Sequence, residues 1–208
     1  LGGWVSFVKK PLLAPLELTT GAHERIGADG EIVSGLDEDQ LRKDLKTLRA
    51  MGEVEALTIC FINAYINGAH EQRASEIAAE IFTDTPISIS SDVVPEMQEY
   101  ERTETTVVNS YVRPEVASYV SNLQAALDEK MGSDTQLSIL RSDGGLASAR
   151  ASAESPVNML MSGPAGGVVG MVRTGQNAGF DKLIGFDMGG TSTDVSHYAG
   201  EFERAYET

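Results

Sequence analysis

The chain has 208 residues, of which 41% are hydrophobic, enough to bury a core in one large domain or two small ones. Its 31 acidic residues against 16 basic ones give a formal charge of −15, which argues against nucleic acid and anionic membranes as partners. A nucleotide stays possible, because it needs only a local cradle of N–H groups and a cation.

Residues 1–35, with Pro11, Pro15 and the turn signal Ala28-Asp29-Gly30, read as irregular or hairpin-like. A helix is predicted from Leu36 to Arg49, capped by Asp37, with Leu41, Leu45 and Leu48 at helical spacing. EALTICFI (55–62) reads as a strand covered on both faces. Cys60, the only cysteine, is expected to be a buried strand thiol, and no intrachain disulfide is possible. Asn67-Gly68 leads into a helix over 69–82 that carries Ile77, Ala78 and Ile81 on one face. His70, at its start, reads as a surface or capping residue. PISIS (86–90) is the next strand. This order of helix, strand, helix and strand implies a parallel or mixed sheet with helical crossovers.

Residues 103–131 are helical in pattern, with Pro114 either kinking the stretch or starting a second helix. Glu99, Glu101 and Arg102 read as a solvated helix start, and a domain boundary is expected near residues 92–105. QLSILRS (136–142) is a strand closed by Asp143-Gly144-Gly145, either a simple turn or a candidate second site. SGPAGGVVGMV (162–172) predicts a helix over 164–173 whose Gly166, Gly167 and Gly170 admit another backbone closely. Its glycines have neither Walker A nor dinucleotide-fingerprint spacing. KLIGFDMG (182–189) is the last strand. No apolar run approaches a membrane span, and the opening LGGWVSFVKK lacks signal-peptide order. The chain starts without Met and stops just after a motif, so it is expected to be a piece of a larger cytoplasmic protein.

FDMGGTSTDVS (186–196) admits two readings. One is a tight hairpin turning at Gly189-Gly190. The other is a phosphate-binding hairpin: Gly189 and Gly190 let N–H groups converge on an anion, and Thr191, Ser192 and Thr193 add hydroxyls. Asp187 and Asp194 would then serve a metal and its waters. His23, His70 and His197 share no metal-ligand spacing.

GFDMGGTSTDVS, SGPAGGVVG, RSDGGL (141–146), EYERTETTVVNSYVRPEV (99–116) and the weaker NGAHEQRA (67–74) together resemble the hydantoinase/5-oxoprolinase family, in order and through most of the chain. RSDGGL with SHYAGEFE (196–203) is nearer the 5-oxoprolinase branch, whereas EYERTETTVVNSY is as similar to bacterial hydantoinase subunits. The resemblance implies an α/β fold of the actin-like ATPase, ribonuclease-H-like type, in part, with a mixed sheet and flanking helices. Residues 1–100 would be the C-terminal part of the family's N-terminal region, and 101–208 the start of its ATPase core. It implies ATP-dependent opening of 5-oxoproline or a hydantoin, by phosphorylation of the lactam oxygen before water attacks. Asp187 and Asp194 would be catalytic, Asp187 a Mg²⁺ ligand, and Gly189, Gly190, Thr191, Ser192 and Thr193 the ATP-binding residues. The partners implied are a cyclic amide and the remaining polypeptide or a second, hydantoinase B-like subunit, in an oligomer, with neither nucleic acid nor membrane. The chain departs from the family in lacking its first Asp-Gly-Gly-Thr hairpin and the adenosine-binding segment, so it is expected to hold half an ATP site and to be inactive alone. The alternatives are a subunit of an ATP-dependent ketone carboxylase, a sugar-kinase-like or chaperone-like lobe, and a non-catalytic actin-like ATP-binding module.

Overall fold

The computed structural model describes residues 12–52, 54–132 and 134–202, so the predicted irregular opening lies partly outside the described residues. The chain forms two compact units, one ending at Ser118 and the other beginning at Tyr119.

In the first unit, β1 (Arg25–Ile26) and β2 (Ile32–Ser34) form an antiparallel hairpin whose turn has Gly30 at φ 88°, a backbone region suited to glycine. Two amide side chains fasten it: Asn63 donates to the Ile26 carbonyl at 2.9 Å and Asn67 to the Gly30 carbonyl at 2.8 Å. Helix α1 (Glu38–Met51) begins where Asp37 accepts from the Gln40 N–H at 3.0 Å, and it buries the predicted Leu41, Leu45 and Leu48. Strand β3 (Leu57–Ile59), helix α2 (Ala69–Ile81) and strand β4 (Ile87–Ile89) make a crossover unit, with β3 and β4 parallel in the register Leu57↔Ile87 and Ile59↔Ile89. The core lies between helices and strands: Leu41, Leu45, Leu48, Ile59, Ile77, Phe82 and Ile89 pack together.

The predicted strand over 55–62 is shorter in the structure, because the chain turns at Phe61–Asn67 and Asn63 takes a positive φ of 59°. Cys60 is therefore not a buried strand thiol. It is half-exposed just past β3, with its sulfur 2.9 Å from the Thr103 hydroxyl. His70 is not at the surface either: it is buried against Glu24, with Nδ1 2.8 Å from the carboxylate.

After the single turn α3 (Ser90–Val93), helix α4 runs unbroken from Glu99 to Met131 with Pro114 inside it. Proline removes one helical hydrogen bond there without ending the helix. The expected solvated start is reversed at Arg102, which is only 1% exposed. Its Nη2 donates to the Phe61 carbonyl at 2.8 Å, Nη1 to the Glu96 carbonyl at 2.9 Å and Nε to the Ser90 hydroxyl at 3.1 Å. Thr106, Asn109 and Ser110 continue this buried polar stripe at helical spacing. Thr58 of β3 donates to the Ser110 hydroxyl at 2.7 Å, and Asn109 to Ser88 of β4 at 3.1 Å.

An ion-pair group joins α1 to α2. The Arg73 guanidinium meets both Glu38 oxygens at 2.8 Å, and Arg42 adds a third contact at 3.1 Å. Arg73 foremost, then Arg42, lowers the Glu38 pKa from 4.5 to about 2. A carboxylate depressed on folding stabilises the protein above its unfolded pKa, and that stabilisation is lost as pH falls through the folded one. The unfolding midpoint is thus expected to fall between pH 4.5 and about 2, and Glu38→Gln to flatten that limb. Urea titrations of both proteins across the window check this, and identical pH profiles would refute it.

In the second unit, β5 (Ser138–Leu140) pairs antiparallel with β6 (Leu146–Ser148), and Ser148 caps the short α5 (Ala149–Glu154) by accepting from the Ala151 N–H at 3.2 Å. Helix α6 (Ser162–Asn177) leads to the antiparallel β7 (Leu183–Met188) and β8 (Thr193–Tyr198). The glycines of α6 do not meet another backbone as predicted. A Cβ at Gly166 would meet the Leu140 side chain, whereas one at Gly167 or Gly170 would meet nothing within 4 Å. Strands reach this helix through side chains, and its tightest glycine is Gly175, against Leu183.

Candidate functional site

The β7–β8 hairpin is built by alternation. Leu183, Gly185 and Asp187 share one face with their register partners Tyr198, Ser196 and Asp194. That face lies on α6: the Gln176 side chain donates to the Tyr198 hydroxyl at 3.0 Å, and a Cβ at Gly185 would meet the Met171 sulfur at 2.6 Å. The opposite face exposes Ile184, Phe186, Met188 and Val195, each 67–77% accessible. At the tip, the Gly189 N–H donates to the Ser192 carbonyl at 2.9 Å, closing a turn in which neither Gly189 nor Gly190 takes a left-handed φ.

The packing sets which part of α6 lies beside the carboxylates. Leu183 meets Gly175, and two strand residues on, Gly185 meets Met171, four helix residues back. Two strand residues advance about 6.6 Å and four helical residues about 6 Å, so strand and helix keep step. One further step of the same pattern would set Asp187 level with Gly167, at which a Cβ would meet nothing within 4 Å. The N-terminal turn of α6 carries the positive end of the helix dipole, although Pro164 has no N–H and the Ala165 N–H already donates to the Met161 carbonyl at 3.2 Å.

Asp187 and Asp194 are exposed and directly opposite each other across the strands, and neither has a hydrogen-bond or ion-pair partner among the described residues. Like charges opposite one another are destabilising, so the arrangement favours a cation. Thr191, Ser192 and Thr193 are exposed at the same tip. Among the described residues no three His, Cys, Asp or Glu side chains gather as a metal cluster.

Asp143, the candidate second site, holds its own turn. Its Oδ1 accepts from the Gly145 N–H at 2.9 Å, its Oδ2 is 3.3 Å from Arg141, and Gly144 has φ 81°. Sequence reasoning missed the polar network centred on Arg102, because its partners come from distant segments. It also missed a cleft beside Arg141, which no spacing announces. No helix among the described residues is long and apolar enough to cross a membrane.

The sequence profile of the family described as Hydantoinase/oxoprolinase matches residues 102–208, and that of the Hydantoinase/oxoprolinase N-terminal region matches residues 6–82. The chain is 37% identical over 191 residues to 5-oxoprolinase of Saccharomyces cerevisiae, covering 88% of this chain and 14% of that protein. It is 35% identical over 185 residues to caprolactamase subunit alpha of Pseudomonas jessenii, covering 89% and 26%. The crystal structure of the ATP-dependent caprolactamase from that organism matches with a TM-score of 0.81 at 33% identity, over 92% of this chain and 28% of that one. Nucleotide-free acetone carboxylase matches with a TM-score of 0.82 at 29% identity, over 96% and 28%. The chain therefore spans between 14% and 26% of the length of these two curated relatives. Its mixed α/β fold is the actin-like ATPase fold of these structures, as the motifs predicted. With one profile covering half of the chain and the other most of its first part, this chain belongs to the hydantoinase/oxoprolinase family.

Proposed function

We propose that the complete polypeptide uses ATP to open a cyclic amide, 5-oxoproline or a hydantoin, and that the β7–β8 hairpin holds the phosphates. The observation that carries this reading is the direct opposition of the exposed Asp187 and Asp194 across the hairpin. When bound, ATP would supply a phosphoryl group to the amide oxygen, which activates the carbonyl carbon for water. The ring C–N bond then breaks with a proton going to nitrogen, and the resulting acyl phosphate is hydrolysed to a carboxylate and inorganic phosphate. In this reading, Gly189 shapes the turn, its N–H being engaged by the Ser192 carbonyl, and the Gly190 backbone and the hydroxyls of Thr191, Ser192 and Thr193 hold phosphate oxygens. Asp187 would hold Mg²⁺, and Asp194 would orient a water of its shell. Two carboxylates suit that ion, which keeps several waters and binds few protein ligands.

The similarity to 5-oxoprolinase and to an ATP-dependent caprolactamase supports cyclic-amide chemistry. The similarity to acetone carboxylase favours a second reading, in which the same hairpin serves a ketone carboxylase subunit. A non-catalytic binding module would have no need of both carboxylates. The partners we propose are the remaining polypeptide or a hydantoinase B-like subunit, in a cytoplasmic oligomer; one relative is itself named as a subunit.

ADP release by the complete polypeptide, measured with 5-oxoproline, hydantoin, or acetone plus bicarbonate, tests the reading. Stimulation by a cyclic amide is the expected result. Stimulation by the ketone alone would replace it with the carboxylase reading, and stimulation by none would overturn both.

A further inference from the structure

The second unit has a cleft that the hairpin does not use. Its volume is about 220 Å³, and its lining includes Arg141, Ala147, Ala151, Ser152, Asn158 and Met159. At roughly 30 Å³ per water, it has room for about seven waters, or for one molecule of amino-acid size.

Its polar groups are poorly satisfied. Arg141 Nε and Ser152 Oγ are both buried and have no hydrogen-bond partner among the described residues, and Ser152 is only 2% exposed. Such orphaned groups are uncommon in folded proteins and call for an acceptor. The main chain of Asn158 is engaged, its N–H with the Ser155 carbonyl and its carbonyl with the Ser142 N–H, but its side-chain amide has no partner among the described residues. Among the described residues the Arg141 guanidinium is held only by Asp143, at 3.3 Å, with both side chains around two-fifths exposed. Exposed pairs of this kind are weak, so the guanidinium can be recruited by a better acceptor.

We propose that this cleft binds a small carboxylate-bearing molecule of amino-acid size. The planar guanidinium fork matches a carboxylate in two parallel hydrogen bonds. Ser152 and Asn158 supply further donors, and Ala147, Ala151 and Met159 form an apolar wall for the ligand's carbon skeleton. That wall distinguishes the site from one for inorganic phosphate. Glu154 also lines the cleft but is tied to Arg150 at 2.9 Å, which leaves Arg141 as the cation available to the ligand.

Calorimetric titration of the complete polypeptide with acetate, L-alanine and L-proline tests the proposal, with L-prolinamide and inorganic phosphate as controls. Saturable binding of at least one carboxylate with Kd below about 10 mM is expected. Prolinamide should bind at least about tenfold more weakly than proline, and Arg141→Lys, which keeps the charge but loses the fork, should weaken the carboxylate by a similar factor. Ser152→Ala should weaken it about threefold. Thermal melts establish that each variant is folded, and Arg141→Gln replaces Arg141→Lys if the latter is not. No carboxylate binding, phosphate bound as tightly, or unchanged affinity in a folded Arg141 variant would each overturn the proposal.

Discussion

Replacing Asp187 with Asn in the complete polypeptide is expected to lower ATP-dependent turnover by about 10²-fold or more while leaving the fold intact. The substitution changes charge and little else, since Asn is close to Asp in shape. Asp187 is exposed and partnerless among the described residues, so no packing among them depends on it. In the proposed role the effect is large because a hard cation and its waters require a formal negative charge that an amide does not carry. Asp194→Asn should be milder, as suits a residue that orients a water. The pair thus predicts an ordering as well as a loss. Steady-state ADP release beside circular dichroism reads both. Near-normal turnover in Asp187→Asn would reduce the hairpin to a structural turn and remove the phosphate reading with it.

What the sequence disclosed follows from the range of the forces involved. Leu41, Leu45 and Leu48 repeat at helical spacing, and Asp37 caps its own helix, so α1 was legible from neighbours within a few turns. The β7–β8 hairpin was legible from its glycines but its register was not: a turn at Gly189-Gly190 alone would set Asp187 opposite Ser192, whereas the loop 189–192 sets Met188 opposite Thr193 and Asp187 opposite Asp194. Burial of polar groups is another matter. Arg102 stands between two glutamates in sequence, and the pattern suggests a solvated helix start, yet its acceptors come from Phe61, Ser90 and Glu96. His70 likewise meets Glu24, forty-six positions away. Cys60 differs for a simpler reason: apolar neighbours predicted a strand through Ile62, whereas β3 ends at Ile59, one residue before Cys60. The cleft at Arg141 was illegible because unsatisfied atoms leave no trace in spacing.

The second large effect expected is on stability, at Glu71. Its side chain is fully buried in α2 and accepts three hydrogen bonds: from the Phe61 N–H at 2.7 Å, the Ser91 N–H at 2.8 Å and the Ser90 hydroxyl at 2.6 Å. These donors lie at the ends of β3 and β4, so one carboxylate gathers the loops that leave both parallel strands. The Ser90 hydroxyl in turn accepts from Arg102, which makes it the bridge between an anion and a cation. Glu71→Ala strands all three donors and leaves the Arg102 charge buried without the anion beyond Ser90. Breaking a buried charged pair in this way costs about 3–5 kcal/mol, a large share of a total stability of about 5–15 kcal/mol. Arg102→Met should cost a similar amount by leaving the Phe61 and Glu96 carbonyls without a donor. Because both side chains act through Ser90, the double variant should lose clearly less than the two single losses added together. Glu71→Gln retains the shape but turns an amide NH₂ toward N–H donors, so it should fall between wild type and Glu71→Ala. Guanidinium unfolding followed by circular dichroism measures all four variants. A Glu71→Ala loss below ~1 kcal/mol, or strict additivity with Arg102→Met, would mean that the network contributes no more than ordinary surface hydrogen bonds.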